Sequence, residues 1–274
     1  MRYLRISAII IFVASVLFAA WANRRYNSQL NTDEPEISST IEVLEISVDD
    51  DEKAIFDGLT ASDATDGDLT DSIMVASVSH FLEPGTVKVK YVVFDSHNNS
   101  ASLTRRVRYT DYKSPEFSLE KAPVYTVGKA FDLLNYVTVV DGIDGDISQN
   151  VRVISNMVNN FTAGIYPVTL EVSNSCGDTS QITFWVTYLN TAPTAIVQLK
   201  QYVLYLPQGS KFQPEKWVSS VTDLQGATLD KGAVTLQGNL DTTTPGTYQL
   251  TYAYDQNGLV GQAPFTVVVT EKEG

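Results

Sequence analysis

Apolar and polar positions alternate along most of this chain. After Gly85 come Val87, Val89, Tyr91 and Val93, with Lys88 and Lys90 between them. Gly164 opens Tyr166, Val168, Leu170 and Val172, and Pro245-Gly246 opens Tyr248, Leu250, Tyr252 and Tyr254. A period of two predicts strands with one face in a core and the other in water. A second alternating run follows each after a polar turn: Leu103, Val107 and Tyr109 beside Arg106 and Arg108, then Ile182, Phe184, Val186 and Tyr188, then Phe265, Val267 and Val269. The local unit is therefore a hairpin, and no amphipathic helical stretch of useful length competes with it.

The hairpins belong to a longer repeat. Asp63-Ala64-Thr65-Asp66-Gly67-Asp68-Leu69-Thr70 returns as Asp141-Gly142-Ile143-Asp144-Gly145-Asp146-Ile147-Ser148, at an offset of 78 residues held without a gap from Leu59–Val75 to Val137–Val153. Self-similarity at a fixed period is the mark of duplicated domains. Pro35, Pro115 and Pro193 each stand just ahead of a new apolar run, where a proline stops the preceding strand. The expected organisation is all-β: three tandem β-sandwich modules at 35–112, 113–190 and 191–274, which the resemblance given below makes Ig-like, preceded by one N-terminal hydrophobic helix (1–22) and a polar stalk (23–34). At about 80 residues each, the modules suit a small antiparallel sandwich with its own core.

The hydrophobic helix is expected from Ile6 to Ala22, 17 apolar residues flanked by Arg2 and Arg5 and by Arg24 and Arg25. This reads as an export segment, either a retained single-pass anchor or a signal peptide cleaved after Ala20-Trp21-Ala22. Membrane contact would run through residues 6–22, and the modules would lie outside the cytoplasm.

Composition narrows the functional classes. A formal charge of -13 argues against nucleic acid, because binding there neutralises phosphates with lysine and arginine. The lone Cys176 cannot form an internal disulfide, so each module depends on its core. His80 and His97 are the only histidines and lie in no nucleophile or zinc pattern. No enzyme and no cofactor are expected.

Six aspartates form the only candidate site. Asp63, Asp66 and Asp68, and again Asp141, Asp144 and Asp146, crowd three carboxylates into six residues. Hydrogen bonds from turn amides or a calcium ion could relieve their repulsion. The spacing matches neither the helix-loop-helix calcium loop nor the glycine-rich β-roll, so a structural turn is the preferred reading. Most tyrosines fall on core positions, whereas Tyr112, Tyr205 and Trp217 lie near joints or irregular segments and are candidates for packing between modules.

Leu59-Thr60-Ala61 to Asp63, then Asp66-Gly67-Asp68-Leu69-Thr70, Pro84-Gly85-Thr86 and Tyr91 to Asp95 resemble the bacterial immunoglobulin-like domain family named from an insecticidal crystal protein. The second copy is similar, with Asn174 where the family has aspartate. The third keeps Pro245-Gly246-Thr247-Tyr248 to Tyr254 and Asn257-Gly258, but Asp223-Leu224-Gln225-Gly226 lacks the paired aspartates. The resemblance implies sandwich modules used in tandem on bacterial surface and secreted proteins, with no shared catalytic activity. The expected function is a surface spacer or an adhesion module with a protein or cell-wall glycan partner, three modules in line reaching about 100 Å. The alternative is an anchored accessory subunit of an envelope assembly or secretion machine.

Overall fold

A computed structural model describes residues 15–22 and 33–271. Residues 15–22 are helical, and no described helix is long and apolar enough to cross a membrane. The rest of the expected 6–22 segment and most of the stalk lie outside the described residues. From residue 33 onward the chain is built of strands and short 3₁₀ turns, arranged in open sheets. It divides into two compact units between Thr110 and Asp111.

In the first unit, β1 (Glu36–Ser39), β3 (Leu59–Asp63) and β4 (Gly67–Asp68) form one sheet in the order β1-β3-β4. The other is β2-β7-β6-β5, from β2 (Val43–Ile46), β5 (Met74–Val78), β6 (Thr86–Phe94) and β7 (Ser100–Tyr109). Val87, Val89, Tyr91 and Val93 are all buried, as their alternation predicts. Burying each such side chain contributes about 1.5–3 kcal/mol. Arg105 was not anticipated: it occupies an inward position of β7 and is 5% exposed.

The second unit repeats this arrangement. Its first half holds β8 (Glu116–Leu119), β9 (Val124–Thr126), β10 (Val137–Asp141), β11 (Gly145–Asp146), β12 (Arg152–Asn156), β13 (Gly164–Ser173) and β14 (Thr179–Leu189), in sheets β11-β10-β8 and β12-β13-β14-β9. Its second half holds β15 (Ala195–Leu199), β16 (Val203–Pro207), β17 (Val218–Asp223), β18 (Val234–Gly238), β19 (Gly246–Gln256) and β20 (Leu259–Thr270), in sheets β15-β17 and β16-β20-β19-β18. The short partner strand of the aspartate loop, β4 or β11, has no counterpart there. Only an isolated bridge, Thr222 to Thr228, stands in its place, where the sequence has lost its paired aspartates.

Strand directions fix where the chain enters and leaves each repeat. The early strands β2, β9 and β16 run parallel to the closing strands β7, β14 and β20. Each entry segment is tied to the start of the closing strand or the loop before it. Asn99 Nδ2 donates to the Asp33 carbonyl (3.1 Å), Asn174 Nδ2 donates to Tyr112 Oη (2.9 Å), and Thr194 N–H donates to the Val260 carbonyl (2.8 Å). The chain thus enters at one pole of each repeat and leaves at the other, about 30 Å away along a ten-residue strand.

Within the second unit the expectation of modules in line does not hold. Tyr205 lies opposite Val268, at the exit end of β20, yet its hydroxyl accepts the N–H of Phe117 (2.7 Å) near the entry pole of the preceding repeat. One buried core runs from Phe117 to Val269 through both halves. The two repeats of the second unit therefore lie alongside each other in opposite directions.

Candidate functional site

The aspartate loops sit at the entry poles. In the first repeat Asp63 closes β3 and pairs with Gly67 across the loop Ala64–Asp66. Gly67 has φ +77°, a left-handed conformation that explains glycine at this point of a three-residue hairpin. Asp63 Oδ1 accepts the N–H groups of Thr65 (2.8 Å) and Asp66 (2.9 Å), an Asx turn that fixes the loop. The second repeat reproduces it: Gly145 has φ +69°, and Asp141 Oδ1 accepts from Ile143 and Asp144, both at 2.9 Å. Asp68 and Asp146 have a different task, each accepting the backbone N–H two residues on, from Thr70 and Ser148. Hydroxyl and amide bonds from those residues hold both carboxyls below the usual aspartate range.

Asp66 and Asp144 reach out of the loop to the turn that precedes the closing strand. Asp66 Oδ2 accepts the N–H of Ser96 (2.8 Å), while Asp144 takes both the N–H (2.6 Å) and the hydroxyl (2.7 Å) of Ser175. The functional neighbourhood is therefore two loops, of which sequence reading singled out one. The second is Asp95-Ser96-His97-Asn98-Asn99 in the first repeat and Asn174-Ser175-Cys176-Gly177-Asp178 in the second. Its signal was present in the repeat itself, since Asp95 and Asn174 follow the repeated glycines Gly85 and Gly164 at equal distance.

At this second loop the repeats differ in chemistry. Asp95, 6% exposed, accepts at Oδ1 from the N–H groups of His97 (2.8 Å) and Asn99 (2.7 Å) and at Oδ2 from the Asn99 amide (2.7 Å). Desolvation works against its charge, but the bonds from Asn99 and His97 outweigh it and hold the carboxyl below the usual range. Asn174 instead donates its amide to Asp141 Oδ2 (3.1 Å) and accepts the N–H of Asp178 at Oδ1 (2.9 Å). The Tyr112 hydroxyl lies between Asp178 Oδ2 (2.7 Å) and Asp141 Oδ2 (3.3 Å). Burial, and then the Asp178 carboxylate, push its pKa far up. Burial likewise raises the thiol of Cys176.

In the first repeat the corresponding oxygen, Asp63 Oδ2, is buried with no hydrogen-bond partner, and Asp63 is 7% exposed. Among the described residues, Asp66, Asp95 and His97 bring ligand atoms within 4.8 Å of one another. Of the six aspartates expected to form a site, the structure thus groups Asp66 with Asp95 and His97, and Asp63 adjoins them through its bond to the Asp66 N–H. It gives Asp68 and Asp146 to turn ends, and surrounds Asp141 and Asp144 with donors.

The three residues expected near joints separate as well. Tyr205 joins the two halves of the second unit, Tyr112, at the expected end of the first module, belongs to the entry pole of the second repeat, and Trp217 packs on Phe265 with ring centroids 5.9 Å apart. The third repeat retains an aspartate turn, with Asp223 Oδ1 accepting from Gln225 (2.9 Å) and Ala227 (2.8 Å). Beside it in chain order is a cleft of about 370 Å³ lined in part by Glu215, Val218, Lys231 and Tyr252.

Two curated proteins match half of the chain. One is the pesticidal crystal protein Cry22Aa of Bacillus thuringiensis, 29% identical over 151 residues, with 52% of this chain and 20% of that protein covered. The other is an uncharacterized 81.3 kDa protein of Acholeplasma phage L2, 30% identical over 155 residues with the same coverage. The chain thus spans about a fifth of the length of these relatives. Among solved structures, a Clostridium perfringens ZmpB fragment, CBM51-2 in complex with GlcNAc and INT domains, overlaps 54% of this chain and 26% of its own at 18% identity and a TM-score of 0.24. Drosophila N-cadherin EC1-3 overlaps 89% and 91% at 11% identity and a TM-score of 0.31. The model of the bacterial Ig-like domain (group 3) matches residues 206–269, in the repeat whose aspartate motif is weakest. The family model and the crystal-protein match both support the resemblance: the chain is similar to bacterial Ig-like proteins of the pesticidal-crystal type.

Proposed function

We propose that this chain is an exported bacterial surface or secreted protein whose three Ig-like β-sandwich modules, at about residues 35–112, 113–190 and 191–274, serve binding or adhesion and not catalysis. One observation carries the reading: the same four-stranded sheet order recurs three times, and every repeat admits the chain at one pole and releases it at the other. That connectivity suits modules strung in series, each held by an apolar core with its functional groups in loops. The side-by-side pair in the second unit favours a compact binding body over a simple spacer. Its partner would be a protein or a cell-wall glycan, with the third repeat's cleft as the place to look for it. Residues 6–22 would hold the protein in the membrane, or be removed if the chain is cleaved after Ala22.

The test is proximity labelling on living cells, with the labelling enzyme fused after Gly274. Diffuse labelling of wall and surface proteins supports the adhesion reading. A single recurrent secretion or assembly component would replace it with the accessory-subunit reading. A second arm replaces Ile6 to Ala22 by an unrelated spanning segment, which leaves an adhesion module working and disables a subunit that packs its helix against others.

A further inference from the structure

The first repeat carries an unbalanced pole. Asp63 and Asp95 are both more than nine-tenths buried, and Asp66 lies beside them nearer the surface. Hydrogen bonds satisfy one oxygen of Asp63 and leave Oδ2 buried and unpaired. A buried carboxylate oxygen without a donor is costly and calls for a compensating group. The second repeat shows where that oxygen faces. Its counterpart, Asp141 Oδ2, meets the Asn174 amide and the Tyr112 hydroxyl, and Asn174 holds the position of Asp95. Where the second repeat supplies the Asn174 amide, the first supplies another carboxylate.

We infer that the entry pole of the first repeat binds one divalent cation between Asp66, Asp95 and His97, on the side that the unpaired Oδ2 of Asp63 faces. The second repeat has replaced that cation by the Asn174 amide and the Tyr112 hydroxyl. Ligand atoms of Asp66, Asp95 and His97 within 4.8 Å of one another leave room for an ion about 2.4 Å from each. Free coordination capacity remains: Asp66 uses Oδ2 for Ser96, and Asp95 accepts three bonds where a carboxylate has about four sites. Hard carboxylate oxygens favour calcium or manganese, and the imidazole adds affinity for manganese and zinc. The ion would also stiffen the entry of the chain, because Asn99 bonds both Asp95 and the Asp33 carbonyl. Asp68, Asp144 and Asp146 are not ligands in this arrangement.

The experiment is calorimetric titration of the full chain, stripped with chelator, with calcium, manganese and zinc chloride, each alone. One saturable equivalent is expected, weakened at least tenfold by Asp66→Asn and abolished by Asp95→Asn, which copies the second repeat. Asp144→Asn should leave it unchanged. His97→Ala should weaken manganese and zinc and leave calcium within about twofold. Asp66 lies near the surface, so its variant keeps the test valid even where Asp95→Asn disturbs folding, which a melting curve reports. Absence of saturable binding by all three ions up to millimolar concentration would overturn the inference, as would binding that survives both variants intact.

Discussion

The amide of Asn174 donates to Asp141 Oδ2 across 3.1 Å, and the residue in its place one repeat earlier is the carboxylate Asp95. This amide-to-acid difference, with the Tyr112 hydroxyl beside Asp141, separates a pole satisfied by its own side chains from one with an unpaired oxygen. Both residues of the second-repeat pair are buried, Asp141 at 2% exposure and Asn174 at 7%.

Asn174→Asp should therefore be among the more damaging substitutions in the second repeat. It removes the donor and brings a second charge against Asp141, at an expected cost of about 2–4 kcal/mol. Chemical denaturation of the variant in chelator should show that loss. Added calcium should restore part of it, and a variant as stable as the parent would show that the pair is energetically idle.

Arg105 is buried against groups that carry no charge. Its guanidinium donates to the carbonyls of Asp57 (2.6 Å) and Ile55 (2.7 Å), to Ser39 Oγ (3.2 Å) and to Tyr91 Oη (3.3 Å). The second repeat has Leu170 and Phe184 where the first has Tyr91 and Arg105. Arg105→Met should cost about 3 kcal/mol, because two carbonyls and two hydroxyls lose their donor inside the core. The pair Tyr91→Leu with Arg105→Phe should cost less than the sum of its single changes, as a double-mutant cycle would measure.

Tyr205→Phe tests the side-by-side arrangement. Burial has pushed this phenol up to about 12, and its hydroxyl accepts the Phe117 N–H. Its removal leaves a buried donor in the first half of the second unit, at about 1–2 kcal/mol. Hydrogen exchange should show faster exchange at the Phe117 amide, with β6 and β7 unaffected.

Acid sensitivity follows from the turn aspartates. Side-chain bonds from Ser148 and from Thr243 are the leading causes that lower the carboxyls of Asp146 and Asp241 from the ordinary 3.8. A lowered folded value means that their stabilisation is complete above the unfolded value and is lost as pH falls from about 4 through the folded value. Melting temperature should fall below pH 4, and by less in Asp241→Asn and Asp146→Asn. Superimposable acid profiles for parent and variants would contradict this.

The sequence by itself determined the all-β class, the hairpins, the repeat and the inward positions, because a two-residue period and glycines at left-handed turns are local constraints that each residue states independently. Val87, Val89 and Tyr91 declare their burial without reference to any distant partner. Arg105 shows the limit, since its inward phase was legible but its tolerance depends on carbonyls at residues 55 and 57, brought near only by folding. The aspartate loops divide in the same way. Their Asx turns are contacts across two or three residues, whereas the meeting of Asp66 with Ser96, or of Asp141 with Asn174, spans about thirty. The fold-back of the third repeat on the second rests on Tyr205 and Phe117, 88 residues apart. Such contacts arise from packing of whole sheets, and only the tertiary structure decides which of many polar side chains they join.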